Sequence, residues 1–234
     1  MERGNSAHRQ RGQAMVETVV IIFATLLLLL GIIQFALIYN AKTTLTYAAF
    51  EAVRAGAVNY ADRRAIEYAL ARGLSPLYTS VNPADGMMDK INSVKASRDR
   101  VLAEILAGDY VLIERINPSP TVFSAHGIPD PNGKFTKVIP NDNLIYRSAL
   151  PKGGVSIQDA NLLKLRVTYC YPMYVPIISN TIKRLMGLMS DPDPIPGWTP
   201  PKLDAFKSKC YQDNRFPIVA QGIARMQTPA KADW

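Results

Sequence analysis

Histidine is nearly missing from this chain, which has two, His8 and His126, far apart in sequence. A zinc site or a Ser-His-Asp constellation needs histidine close to other ligands or to a nucleophile, and neither position offers that. Cysteine is as scarce, with Cys170 and Cys210 too distant for a C-x-x-C redox pair. No G-x-S-x-G elbow and no phosphate-cradling glycine loop is present. The acidic groupings Asn82/Asp85/Asp89, Asp130/Asn132 and Asp191/Asp193 lack the D-x-D-x-D-G spacing with a distal glutamate, and each lies among prolines and glycines that favour turns. The formal charge of +8 is spread without a compact run or an aromatic-interleaved stripe, so it reads as a solvated surface and not a nucleic-acid footprint. Internal repeats and low-complexity tracts are absent. The expectation is a protein without catalytic residues, metal or cofactor.

The most telling absence is of charge. From Thr18 to Ala41 the chain reads TVVIIFATLLLLLGIIQFALIYNA, between Glu17 and Lys42. At ~1.5 Å per residue this run outreaches the ~30 Å hydrocarbon core and can span a bilayer with some tilt. The residues before it are net basic (Arg3, Arg9 and Arg11 against Glu2), which retains the N-terminus in the cytoplasm and exports the rest. Tyr39 sits at the far end, where an amphipathic ring favours the interface. A secretory signal would have a shorter apolar region with a small-x-small site behind it, and Asn40-Ala41-Lys42-Thr43 lacks that pattern. The available small-residue cleavage site lies in front, between Gly12 and Gln13. The plainer reading is an uncut signal anchor with Glu17 at headgroup level.

Glu17 gives the cleavage reading a physical logic. An acid at the head of a membrane segment is costly and by default functional. Cleavage after Gly12 would create an α-amino group on Gln13, and in a bundle of such helices Glu17 could neutralise the amine of an axially displaced neighbour. Such a pair sets register more than it adds stability, because an unpaired charge among apolar helices costs several kcal/mol.

Beyond the apolar run, helical periodicity continues. Leu45, Ala48, Ala49, Ala52, Val53, Gly56 and Ala57 form a stripe of mostly small residues suited to close helix approach, with Thr44, Glu51 and Arg54 elsewhere. A bend or break is expected near Asn59-Tyr60. Asp62 then reads as an N-cap, with Ile66, Ala69 and Leu70 on one face and Gly73 as a stop. A further helix is expected within Met88 to Ala107, with Val101, Leu102, Ile105 and Leu106 facing the core and Gly108 ending it. Tyr110–Ile116 is rich in β-formers and stops at Pro118 and Pro120, and Asn132-Gly133 is a hairpin-type turn signal. Leu163–Tyr171 alternates as a strand, and Ile218–Gln227 is a second strand, placed centrally or beneath the stalk helix because both its faces are partly apolar. Helices followed by strands predict an α+β fold with a mainly antiparallel sheet. The expected organisation is a leader over 1–12, a membrane helix over 13–41, a stalk continuation over 42–73 and an exported domain over 74–234. In an oxidising compartment Cys170 and Cys210 would form a disulfide enclosing the proline-rich run at 191–197. The alternative is two buried thiols.

The segment Gly12-Gln13-Ala14-Met15-Val16-Glu17-Thr18, the apolar helix, and the small-residue helix Tyr47–Ala57 resemble the TadE-like proteins, minor pilins or pseudopilins of the tight-adherence (Flp-type) pilus system. Weaker echoes are the strand around Val167–Tyr169 and the ending Ala224-Arg225-Met226. Thr18 stands where family members commonly carry an aromatic residue, and residues 75–160 have no counterpart. The resemblance implies a subunit anchored in the bacterial inner membrane with a periplasmic C-terminal domain, cut by a prepilin peptidase. Its partners would be other pilin or pseudopilin subunits and the inner-membrane assembly platform. The competing reading is a signal-anchored periplasmic enzyme or binding module.

Overall fold

The computed structural model describes residues 10–190 and 204–234, apart from 81, 83 and 85. His8, Asp85, Asp191, Asp193 and the proline-rich run at 191–197 lie outside the described residues. No proline occurs before Pro76, and the chain opens with one uninterrupted helix, α1 (Gln10–Val58), of 49 residues. At ~1.5 Å per residue it is roughly 74 Å long.

The second half of α1 is the axis on which the domain is built. Leu45, Ala48, Ala49, Ala52, Val53 and Ala57 are all buried, the stripe that the periodicity predicts. The helix ends where Tyr60 and Ala61 take left-handed backbone angles (φ 58° and 57°). That conformation is unfavourable for residues with a side chain, so the surroundings must hold it. They do: Gln227 and Thr228 donate their backbone N–H groups to Ala57 O (2.9 and 3.3 Å), Tyr60 N–H donates to Thr228 Oγ1 (2.8 Å), and Lys231 N–H donates to Tyr60 O (3.0 Å). The carbonyl left free at the helix end is thus satisfied by the far C-terminal segment.

Asp62 caps the next helix, α2 (Arg63–Leu74), accepting from Ala65 N–H at 3.2 Å. Ile66, Leu70 and Leu74 are fully buried against α1. The expected stop at Gly73 is corrected: α2 runs through it to Leu74 and on into a 3-10 turn, Ser75–Leu77. Gly73 serves close approach instead, since a Cβ there would stand 2.6 Å from Ala48 Cα. The third helix, α3 (Met87–Ala107), does end at a left-handed glycine, Gly108 (φ 70°). Its buried stripe is narrower than expected, with Ser97, Val101 and Ile105 inside and Leu106 64% exposed. Leu106 lies one position round the helix from the ridge that packs.

The remaining elements are β1 (Val111–Asn117), α4 (Pro120–His126), β2 (Val138–Ile139), α5 (Ile157–Ala160), β3 (Leu162–Pro172), α6 (Pro176–Ser190), α7 (Ala205–Gln212), β4 (Arg215–Arg225) and β5 (Ala230–Lys231). The turn at Gly133 (φ 65°) brings Ile128 opposite Val138. Asp130 explains the local acidic grouping, because its carboxylate accepts the backbone N–H groups of Asn132, Lys134 and Phe135. An antiparallel three-stranded sheet runs in the order β1-β3-β4, and β2 pairs with β5. The fold is α+β.

Alternation in β3 assigns the two faces of the sheet. Leu163, Leu165, Val167 and Tyr169 are fully buried toward α1. Of the two placements considered for the C-terminal strand, the central one is overturned: β3 is central and β4 is an edge lying beneath α1. Gly222 allows the contact, since a Cβ there would meet Ala49 O and Val53 Cγ2 at 2.8 Å. Helix α1 thus covers one face of β4, with Ile218 and Ala220 buried, while on the other face Val219 is half-buried and Ile223 is exposed.

Candidate processing and assembly segment

Three contacts set the direction of the domain along α1. Lys42 Nζ donates to Val219 O, Ala49 lies against Gly222, and Ala57 accepts from Gln227 N–H. So β4 climbs beside α1 away from the apolar run, and antiparallel β3 returns toward it. The last residues of β3, with α6 and α7 after them, form the base of the domain next to that run.

Gly12 and Gln13 lie in the opening turns of α1. Five residues beyond Gly12, Glu17 is exposed, and no ion pair is formed with it among the described residues. The following residues are exposed through Ile33, apart from half-buried Leu27, Leu30 and Gly31. Met15–Ile33 would cross roughly 28 Å at ~1.5 Å per residue, close to a hydrocarbon core. By length and composition the described helix from Met15 onward is able to cross a membrane.

The far end of the apolar run differs from its beginning. Gln34, Ile38 and Ala41 are buried, while Phe35 and Tyr39 on the opposite side are exposed. Gln34 Oε1 accepts the Val175 N–H at 2.9 Å, just before α6. Its Nε2 is buried without a hydrogen-bond partner among the described residues. Sequence reading treats Thr18–Ala41 as one uniform span, and this covering of its outer end was missed. The signal was present, since a side-chain amide inside an apolar run normally faces protein.

The two cysteines stand at the base. Cys170 follows the inward-facing Tyr169 and so points to the opposite face of the sheet, where Cys210 of α7 meets it. The sulfurs are 1.93 Å apart and the Cα atoms 5.3 Å apart, at disulfide distance. Arg215 donates to Cys170 O (3.1 Å) and stacks 3.6 Å from the Tyr110 ring centre. His126 is half-buried at the end of α4, with Nε2 2.9 Å from Lys152 O and 3.0 Å from Val155 O. It holds the turn at 152–155, and no grouping of metal ligands occurs among the described residues.

Two charged clamps fix the C-terminal segment that closes α1. Arg115 donates to Lys231 O (3.1 Å) and Ala232 O (3.2 Å), with its guanidinium 4.8 Å from the Phe123 ring centre and 4.7 Å from that of Trp234. Burial lowers its pKa to about 10, so it remains charged at neutral pH. Lys231 also pairs with the capping residue Asp62. Burial by itself would raise the Asp62 carboxyl, but the Lys231 ammonium and the N–H groups of Ala65 and Arg64 outweigh it, holding the group below 3.8.

The comparison with known families covers the helix described above. Residues 12–54 match the model of the TadE-like protein family. The likeness is confined to this segment. The match opens on Gly12, takes in Glu17 and the apolar run, and closes at Arg54 within the small-residue stripe. The matched segment thus holds the candidate membrane span and the axis of the fold, while most of the sheet domain wound onto it lies outside the match. No curated protein and no solved structure matches the chain.

Proposed function

We propose that this chain is a membrane-anchored, pilin-like subunit required for assembly of a tight-adherence type pilus, matured by a prepilin peptidase that cuts between Gly12 and Gln13. The observation that carries this reading is the exposed Glu17 five residues past Gly12, without an ion pair among the described residues, at the head of a helix similar to the TadE-like family and mostly exposed from Met15 to Ile33. An isolated acid there is unfavourable until a neighbouring subunit supplies a positive charge, and the new amine on Gln13 is one. The upper part of α1 adds exposed Tyr47, Phe50 and Val58 for contact with other pilin or pseudopilin subunits. The role is structural and not enzymatic. Cys170 and Cys210, bridged on the periplasmic side, keep the base of the exported domain intact, with the inner-membrane platform below it.

Mass spectrometry of the N-terminus in cells carrying a prepilin peptidase is the direct test. A mature chain beginning at Gln13 supports the proposal. An intact leader overturns it in favour of a signal-anchored binding module. Replacing Gly12 with valine places a branched side chain at the scissile bond. The expected product is a membrane-retained precursor with no filaments.

A further inference from the structure

Helix α6 sits at a height that the anchor itself defines. If Met15–Ile33 crosses the hydrocarbon core, the outer boundary of the bilayer falls at about Gln34, and Gln34 is where α6 is tied, through Val175 N–H. The helix is tied again in its middle, where Lys183 Nζ donates to Gln212 O at the end of α7 (2.9 Å). Two such tethers lay α6 against the base of the domain. Ser179 is 1% exposed and faces inward.

The outward side carries a ridge at i, i+4 and i+8. Ile177 and Leu185 are 51% and 57% exposed. Thr181, between them, has its hydroxyl turned back to Ile177 O (3.0 Å), so it presents its methyl group. Tyr174 just before α6 is exposed, and so is Tyr39, ~7.5 Å beyond Gln34 along α1; amphipathic rings of this kind favour the membrane interface. Arg184 flanks the ridge, is exposed, and makes no ion pair among the described residues. An apolar ridge beside an exposed cation, held at the height of the headgroups, has the makings of a helix that lies in the interface plane.

We infer that α6 is a membrane-surface helix that seats the exported domain on the outer leaflet, with Ile177, Thr181 and Leu185 in the acyl boundary and Arg184 on anionic headgroups. The inference rests on α1 spanning the bilayer, and its test separates the two. The full chain, with its native cysteines oxidised, is reconstituted in phosphatidylcholine vesicles with and without phosphatidylglycerol. Single cysteines at Ile177, Leu185, Val20 and Tyr146 carry an environment-sensitive fluorophore, and nitroxide lipids serve as shallow or deep quenchers. Labels at 177 and 185 should shift to the blue and lose most of their intensity to the shallow quencher. Position 20 should respond to the deep quencher, and position 146, at the opposite end of the domain, to neither. Arg184→Glu should reduce the loss at 185 in vesicles containing phosphatidylglycerol and leave it unchanged in phosphatidylcholine alone. If 177 and 185 behave like 146 while 20 is quenched, the surface-helix assignment is wrong and the span stands. No quenching at 20 removes the span itself. A blue shift at 177 and 185 without lipid quenching, arising only when other pilin subunits are present, would assign the ridge to a protein partner and overturn the proposal.

Discussion

Gly222 and Asp62 show how single side chains set the relation between α1 and the rest of the domain. At Gly222 the absence of a Cβ lets α1 rest on β4, and the atoms that an alanine would meet include the backbone oxygen of Ala49. Backbone cannot rotate away, so Gly222→Ala should destabilise the full chain by about 1–3 kcal/mol, as overpacking usually does. Chemical denaturation in detergent reads this, and an unchanged midpoint would show that the helix lifts freely. Asp62 adds a pH dependence. Its carboxyl is held below its ordinary 3.8, so the folded chain binds a proton there less readily than the unfolded one. Its contribution is fully present above the ordinary value and fades as pH falls toward the lowered one. Replacing Lys231 with methionine should lower stability at neutral pH and flatten the acid-side decline. Acid titration followed by circular dichroism compares the two proteins.

At the scale of elements, α7 is held to the outer face of the sheet by the Cys170–Cys210 link, by the Lys209–Asp109 ion pair and by the edge of Tyr211 against Phe216. Beside it a cavity of about 270 Å³ is lined by Leu112, Thr168, Phe206 and Val219 among others. Cys170→Ser should therefore cost about 2–5 kcal/mol and loosen α7 together with the Lys183 tether of α6. Maleimide modification of both cysteines in the native protein would rule the bridge out. The opposite closure, at the end of α1, is distributed over several bonds. Arg115→Ala should free the C-terminal segment near Trp234, seen as faster amide exchange at residues 230–232, without detaching α7.

For the whole molecule the decisive experiment is Glu17→Gln. The substitution changes neither Gly12 nor the length of the apolar run, so insertion and cleavage should survive, and insertion becomes slightly more favourable. Docking should fail, because the amine on Gln13 loses the carboxylate that would neutralise it inside a bundle of helices. The expected outcome is a correctly cut protein that accumulates in the membrane and does not enter filaments. Incorporation as efficient as wild type would defeat the charge-pairing mechanism and leave the pilin-like reading on Gly12 and the family match.

Features governed by neighbours in the chain were legible from the sequence alone. The uncharged run after Glu17, the small-residue stripe from Leu45 to Ala57, the Asp62 cap, the Gly108 stop and the alternation of β3 each follow from local periodicity or from one residue's conformational preference. Tertiary structure decided whatever depends on residues far apart in sequence. Gly73 looks like a stop because glycine usually supplies a left-handed turn, yet here its missing side chain admits Ala48. The two-sided apolar character of β4 suits a central strand as well as an edge one covered by a helix, and only the pairing of distant strands, with β3 between β1 and β4, distinguishes them. Gln34 is a single polar residue within a span until α6, some 140 positions later, meets it at the base of the domain. Periodicity measures which way a side chain faces on its own element, and it carries no information about what arrives on the other side.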